Sequence, residues 1–301
     1  MKIIMIFLDG FGLGSKDEFN PYFFARTPFM DSILGGHLLY KHLGKIIRDQ
    51  VVMLPTDALL QVPGIPQSAT GQTSLWTGIN AAQKVGYHVR AYPTFALRQI
   101  IASSSIMRLL ATAGKKVTFA NAYRDEYFEL VKKRKLRHSV STLMTISADK
   151  RLRNLDDLRN NNAVYQDFTN RVLTERGYNI DIISPEMAGQ NLAGIASKYD
   201  FTLYEYFITD RAGHKKDSDW AIEIYENLDR FIAACVNASD LQKVLIIIVS
   251  DHGNIEDLST GKHTLNPVPT LIIHDFLGNT GYEDITSITD ITPYVLGLIE
   301  E

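Results

Sequence analysis

Met1-Lys-Ile-Ile-Met-Ile-Phe-Leu-Asp9-Gly10 opens the chain with an unbroken apolar run over residues 3–8 that stops at a carboxylate and a glycine. A run this short, rich in β-branched and aromatic side chains, reads as a strand covered on both faces in a parallel sheet. It is too short for a secretory leader and ends in an acid where a leader would need small residues. Residues 203–209, with Glu205 inside, and residues 244–249 have the same character. Helical stretches lie between these runs. Residues 104–114 place Ile106, Leu109, Leu110 and Ala113 at helical spacing, close on Gly114 and lead into an expected strand at 116–121. Ser184-Pro185-Glu186 opens a second helix with a cap residue and a proline in the first turn, and residues 217–236 form a third that runs into the strand near Val244. Strand and helix alternate, so the fold expected is α/β with a mostly parallel central sheet and helices on both faces.

At 301 residues the chain can bury a substantial core, and with Cys235 as its one cysteine it has no internal disulfide. That usage fits a reducing compartment, so a cytoplasmic protein is expected. No segment reaches the roughly 18 apolar residues of a membrane span. The net charge of −3 argues against the whole molecule being built for nucleic acid. Residues 123–179 interrupt the strand–helix rhythm with the basic runs 132–137 and 150–153 and the polar run 159–162. They read as an insertion or small cap on a core made of 1–122 and 180–301. Such runs are ordinarily a solvated face; here they could also draw an anionic substrate over a site, or, in a rival reading, bind nucleic acid.

All three apolar runs end in aspartate: Leu8-Asp9-Gly10, Thr209-Asp210 and Ser250-Asp251-His252-Gly253. Loops converge at the carboxyl ends of parallel strands, so three carboxylates meet at one edge. Unless a cation sits among them they repel. Asp210-Arg-Ala-Gly-His214 sets a carboxylate and an imidazole four residues apart, Asp251 and His252 are adjacent, and His263 follows in Gly261-Lys-His-Thr264. Singly, each has an ordinary reading as a turn, cap or loop residue. Together they offer more ligands than one tetrahedral site needs, and two divalent ions are the natural count, manganese or zinc rather than magnesium because of the imidazoles. A metal pair of this kind clamps the attacking and leaving oxygens of a phosphoryl group. The attacking group is sought in Pro66-Gln-Ser68-Ala-Thr70-Gly71, where a loop enters a helix; Ser68 stands at the helix start, which favours negative charge, and Thr70 is its rival.

These motifs resemble the metal-dependent alkaline phosphatase superfamily, and within it the branch of phosphopentomutase and cofactor-independent phosphoglycerate mutase. Asp9-Gly-Phe-Gly12 is similar to the family's first metal-ligand strand end, and Ser68-Ala-Thr-Gly71 to its nucleophile loop. The later Thr77-Gly78 spacing selects Ser68 over Thr70. Asp210 and His214 match D-x-x-x-H, Asp251-His-Gly-Asn254 matches D-H-G-N, His263-Thr-Leu-Asn-Pro-Val-Pro269 resembles the H-T…V-P segment, and Ser287-Ile-Thr-Asp290-Ile-Thr-Pro293 the closing helix.

The resemblance implies a three-layer sandwich in which Asp210, His214 and His263 hold one metal and Asp9, Ser68, Asp251 and His252 the other. Attack by Ser68 would give a phosphoserine. A sulfatase would carry proline and arginine where Thr70 and Gln72 stand. The reading is a hydrolase of a small phosphate ester, monoester or diester. A phosphomutase is the alternative, and a non-catalytic metal-binding member is the remote one. His88, Arg90, Arg211 and Lys215 are the candidates for gripping substrate, and the oligomeric state is left open.

Overall fold

Along the first strand, β1 (Lys2–Leu8), side chains alternate between two cores: Ile4, Ile6 and Leu8 enter one, Ile3, Met5 and Phe7 the other. This period-two alternation with apolar residues on both sides is what a strand buried between two helical layers requires. The structure is a computed structural model that describes residues 1–41, 43–133, 135–276 and 280–300, the side chain of Glu300 excepted.

Six more strands join β1: β2 (Ile46–Arg48), β3 (Val51–Thr56), β4 (Val117–Phe119), β5 (Phe201–Tyr206), β6 (Val244–Val249) and β7 (Val268–Ile273). The sheet order is β2-β3-β7-β6-β1-β5-β4. Pairings β6-β1, β1-β5 and β5-β4 are parallel, whereas β7 runs antiparallel to both β6 and β3, and β2 antiparallel to β3. The sheet is therefore mixed, with its parallel part centred on β1.

Helices Pro185–Ala196 and Ser218–Asn237 cover one face through Ala188, Leu192, Ile224 and Phe231. Helices Ser68–Thr77, Ile106–Thr112, Val140–Ser147 and Ile291–Glu300 cover the other through Trp76, Met107, Met144 and Val295. The helix Ser68–Thr77 is buried beyond its first residue although it reads Ser-Ala-Thr-Gly-Gln-Thr-Ser-Leu-Trp-Thr. Its hydroxyls make that possible: Thr73 Oγ1 donates to Ala69 O (2.6 Å), Ser74 Oγ to Thr70 O (2.8 Å) and Thr77 Oγ1 to Thr73 O (2.6 Å). Each of these three hydroxyls is satisfied one turn back, so its burial costs little.

One expectation is revised. The strand expected over 203–209 starts at Phe201 and stops at Tyr206; Thr209 and Asp210 belong to the helix Ile208–Lys215. Residues 123–179 divide between three surroundings. Helix Val140–Ser147 packs Val140 and Met144 into the main core. Leu155, Leu158, Ala163, Tyr165 and Leu173 form a satellite core with Ala122, attached by the bridges Asn121 to Val164 and Ala122 to Arg153. Helix Asp125–Lys132 buries no side chain. The basic runs are not one surface: Arg153 is buried and donates to Phe119 O (3.1 Å) and Thr118 Oγ1 (2.8 Å), and Lys132 pairs with Glu129 (3.2 Å). Arg134 of the 132–137 run lies outside the described residues. Among the described residues no helix is long and apolar enough to cross a membrane.

Candidate active site

The parallel strands deliver the acidic residues to one edge. Asp9 follows β1, and Asp251 and His252 follow its neighbour β6. Helix Ile208–Lys215, which begins just past β5 on the other side of β1, sets Asp210 and His214 one turn apart on one face. Gly10 has φ +66°, and a Cβ there would lie 2.9 Å from the Asp210 side chain, so only glycine lets β1 end this close to that helix. Gly71 works likewise: a Cβ would lie 2.9 Å from both Cβ and O of Asp251, and its absence seats the Ser68 helix on the Asp251 loop.

Two triads result, Asp210, His214 and His263 in one and Asp9, Asp251 and His252 in the other, each with one ligand atom per residue within 4.8 Å of the others. His214 Nε2 lies 3.3 Å from Asp210 Oδ2, and His263 Nε2 lies 3.3 Å from Asp210 Oδ1 and from His214 Nε2. In the second triad His252 Nε2 lies 3.3 Å from Asp9 Oδ1 and 3.5 Å from Asp251 Oδ2. The His252 and His263 rings stack at 3.7 Å, which places the triads side by side.

The imidazoles are oriented from behind. His214 Nδ1 bonds Gly261 O (2.8 Å), His263 Nδ1 bonds Pro66 O (2.8 Å) and His252 Nδ1 approaches Gly253 O (3.3 Å). A carbonyl accepts only from N–H, so Nδ1 carries a proton in each ring and Nε2 is the nitrogen turned to the carboxylates, available to a metal once any proton on it is lost. Asp9 Oδ1 and Asp251 Oδ2 are buried without a hydrogen-bond partner. Unpartnered buried carboxylate oxygens are costly, and a divalent cation is the group that would satisfy them.

In the metal-free protein Asp251 and His263 hold protons that a cation would displace. Burial, then the nearby Asp9 and Asp210 carboxylates, pushes Asp251 well above the usual carboxylate range. Burial also opposes ionisation of Asp210, but the His263 hydrogen bond, His252 and Asn254 outweigh it and hold that carboxyl low. Burial disfavours the His263 imidazolium, yet Asp210 raises it overall.

Ser68 is the first residue of its helix, and its Oγ lies 3.0 Å from His252 Nε2. It is not the cap: Gln67 stands there, with no side-chain cap bond, and the first intrahelical bond runs from Gly71 N–H to Gln67 O (2.9 Å). The amides of the first turn therefore have no intrahelical acceptor and favour an anion beside Ser68. Thr70 is buried, with Oγ1 donating to Gln67 O (3.1 Å) and accepting from Val89 N–H (3.2 Å).

A cavity of about 880 Å³ opens over Ser68, Asp9, Asp210, His214 and His263, and Arg90 and Arg211 also line it. The other two substrate candidates stand elsewhere. His88 Nε2 bonds Val62 O (3.2 Å), and the Lys215 ammonium sits over the Trp220 ring at 4.9 Å.

Sequence reasoning passed over two acids. Glu256 is buried and accepts from Gly12 N–H (3.1 Å), Asn254 N–H (2.7 Å), Asn266 Nδ2 (3.0 Å) and the Thr264 hydroxyl. Its position just past Asp251-His-Gly-Asn254 was the only available signal. Glu205, noted inside β5, lines the cavity and accepts from Ser141 Oγ (2.6 Å); burial, then Asp9, pushes it up to about 7 against that bond.

Comparison with known proteins agrees with this geometry. A family model described as the Metalloenzyme superfamily matches residues 1–300, and the chain belongs to that family. It is 30% identical over 128 residues to a 2,3-bisphosphoglycerate-independent phosphoglycerate mutase from Desulforudis audaxviator; the match covers 39% of this chain and 25% of that protein. The matched part is thus a quarter of the mutase's length. Among solved structures, the PH0037 protein from Pyrococcus horikoshii superposes with TM-score 0.60 at 17% identity, covering 99% of this chain and 96% of that one. The alkaline phosphatase from the Antarctic bacterium TAB5 gives 0.52 at 14% identity, covering 99% and 97%. The chain is thus a member of the Metalloenzyme superfamily whose fold resembles that of the alkaline phosphatase, with two side-chain clusters suited to divalent metal.

Proposed function

We propose that this chain hydrolyses a phosphate ester, monoester or diester, with Ser68 as nucleophile and two divalent ions, manganese or zinc, as cofactors. The observation that carries the reading is Ser68 Oγ, 3.0 Å from His252 Nε2 at the meeting of two carboxylate–imidazole triads. Asp210, His214 and His263 would hold one ion, and Asp9, Asp251 and His252, with Ser68, the other. When bound, such ions lower the pKa of a hydroxyl and neutralise charge on a phosphoryl group.

Ser68 Oγ attacks phosphorus as the bond to the leaving oxygen breaks on the opposite side, and the serine proton ends on the departing alkoxide. Water then attacks the phosphoserine, restoring the hydroxyl and releasing phosphate from a monoester or a phosphate monoester from a diester. The free amides at the helix start stabilise the phosphoryl oxygens, and Arg90 and Arg211 grip the rest of the anion. Thr70 does not compete, because its hydroxyl is committed on both sides.

A phosphomutase is the second reading, favoured by the mutase match. The two differ in whether water or a substrate hydroxyl takes the phosphoryl group. The His214 side chain is 46% exposed, so water reaches the triad, which supports hydrolysis. A cytoplasmic location fits the one buried cysteine.

Turnover of phosphate monoesters, diesters and sugar phosphates in ¹⁸O-water with added manganese or zinc tests the reading. Release of ¹⁸O-labelled phosphate from a monoester, or of a labelled monoester from a diester, is expected. Phosphoryl transfer within the substrate without release would favour the mutase, and no turnover of any ester would remove both.

A further inference from the structure

We propose that the substrate is a nucleoside phosphate, whose base stacks on a tyrosine wall of the cavity while its phosphate lies at Ser68. This deepens the phosphate-ester reading and rests on it. Tyr92, Tyr123 and Tyr127 line the same cavity as Ser68. The Tyr123 and Tyr127 rings lie 4.4 Å apart, and both hydroxyls are engaged by protein: Tyr123 Oη with Thr142 Oγ1 (2.6 Å) and Tyr127 Oη with His138 Nδ1 (2.7 Å). With the polar tips taken, what these rings offer a ligand is their carbon surface. A flat aromatic group suits that surface; a sugar or glycerol hydroxyl does not.

Tyr92 is held there by strained backbone. Ala91 has φ +53°, and Tyr92 N–H donates to Arg90 O (2.7 Å) across it. That tight turn is unfavourable for a non-glycine residue, and both side chains flanking it, Arg90 and Tyr92, reach the cavity. Charge completes the match. Arg90, Arg211 and Lys262 line the cavity, and among the described residues none makes an ion pair. At about 880 Å³ the space is near the top of the roughly 300–1,000 Å³ typical for ligands of drug size, more than a sugar phosphate fills.

Adenosine 5′-monophosphate and ribose 5-phosphate share the reacting ester and differ in the base, so their comparison isolates the stacking. Binding to the metal-loaded Ser68→Ala protein is measured by calorimetry, and turnover by the wild type in parallel. The nucleotide should bind about tenfold or more tightly, the range of one stacked base, and Tyr127→Leu or Tyr92→Leu should shrink that ratio while Tyr127→Phe keeps it. Equal binding of the two ligands, or a ratio untouched by both leucine variants, overturns the proposal. Absent turnover of either compound would count against the Ser68 chemistry, and the binding ratio would still decide the substrate class.

Discussion

The Thr264 hydroxyl donates to Glu256 Oε1, and through this contact the loop carrying His263 is held against the loop carrying Asp251 and His252. Glu256 Oε2 accepts at the same time from Gly12 N–H and Asn254 N–H, which adds the loop after Asp9. One buried carboxylate thus spans three of the segments that build the triads.

Glu256→Ala would leave those donors unpaired in the interior. A loss of about 3 kcal/mol or more in unfolding free energy is expected, with metal affinity down roughly 10- to 100-fold because the ligands lose their support. Glu256→Gln keeps part of the acceptor capacity and should fall between. Chemical denaturation and metal titration check both, and an alanine variant with unchanged metal affinity would show that the loops hold their places without it.

Ser68→Ala should lower kcat/KM on the order of a thousandfold or more, since the covalent route disappears. Thr70→Val should mainly cost stability, by about 1 kcal/mol, through two lost hydrogen bonds. If kinetics showed the larger catalytic loss for Thr70→Val, the nucleophile would have to be reassigned.

Metal stabilisation should grow with pH. In the metal-free protein Asp251 is raised, so its contribution is complete below the unfolded pKa and is lost as pH rises through the folded value. Asp251 and the raised His263 must both give up protons to bind a cation. The gain in Tm on adding manganese should therefore be larger at about pH 8 than at about pH 6. A gain that shrinks over that interval, measured by scanning calorimetry, contradicts the assignment.

Glu205 supplies a separate pH test. Its carboxyl, ordinarily near 4.5, stands at about 7 in the folded chain. The metal-free protein thus loses stability as pH rises from the lower to the higher value, on the order of 3 kcal/mol in all. Glu205→Gln mimics the protonated form while still accepting from Ser141. It should unfold later than wild type at about pH 8 and no later at about pH 4. Earlier unfolding at the higher pH would mean that the ionised carboxylate is stabilised by a neighbour.

Much of this was legible in the residues, for identifiable reasons. Strands β1 and β6 are apolar on both faces, and no amphipathic helix reads that way. β3 and β7 are hard to read in the sequence because Pro55 and Pro269, which face each other in the register, break the strand signal. The end of β5 is not marked in the sequence because Phe207, Ile208 and Thr209 extend its aromatic and apolar run, while the helical period that places Asp210 one turn from His214 becomes apparent only across the turn. The ligand candidates could be found because carboxylate and imidazole recur at strand ends. Glu256 could not, since a buried acid that accepts hydrogen bonds from loops looks in sequence like any surface acid. The Tyr123 and Tyr127 wall was hidden for a related reason: Tyr127 sits on the helix Asp125–Lys132, which buries no side chain, Tyr123 precedes it at the margin of the main core, and nothing local shows that both line the cavity with Ser68.

Anomalous diffraction from manganese-loaded crystals tests the central claim most directly. The account predicts two peaks, one bound by Asp210, His214 and His263, the other by Asp9, Asp251 and His252 with Ser68 Oγ beside it. A single peak remote from Ser68, or none between the two triads, would contradict it.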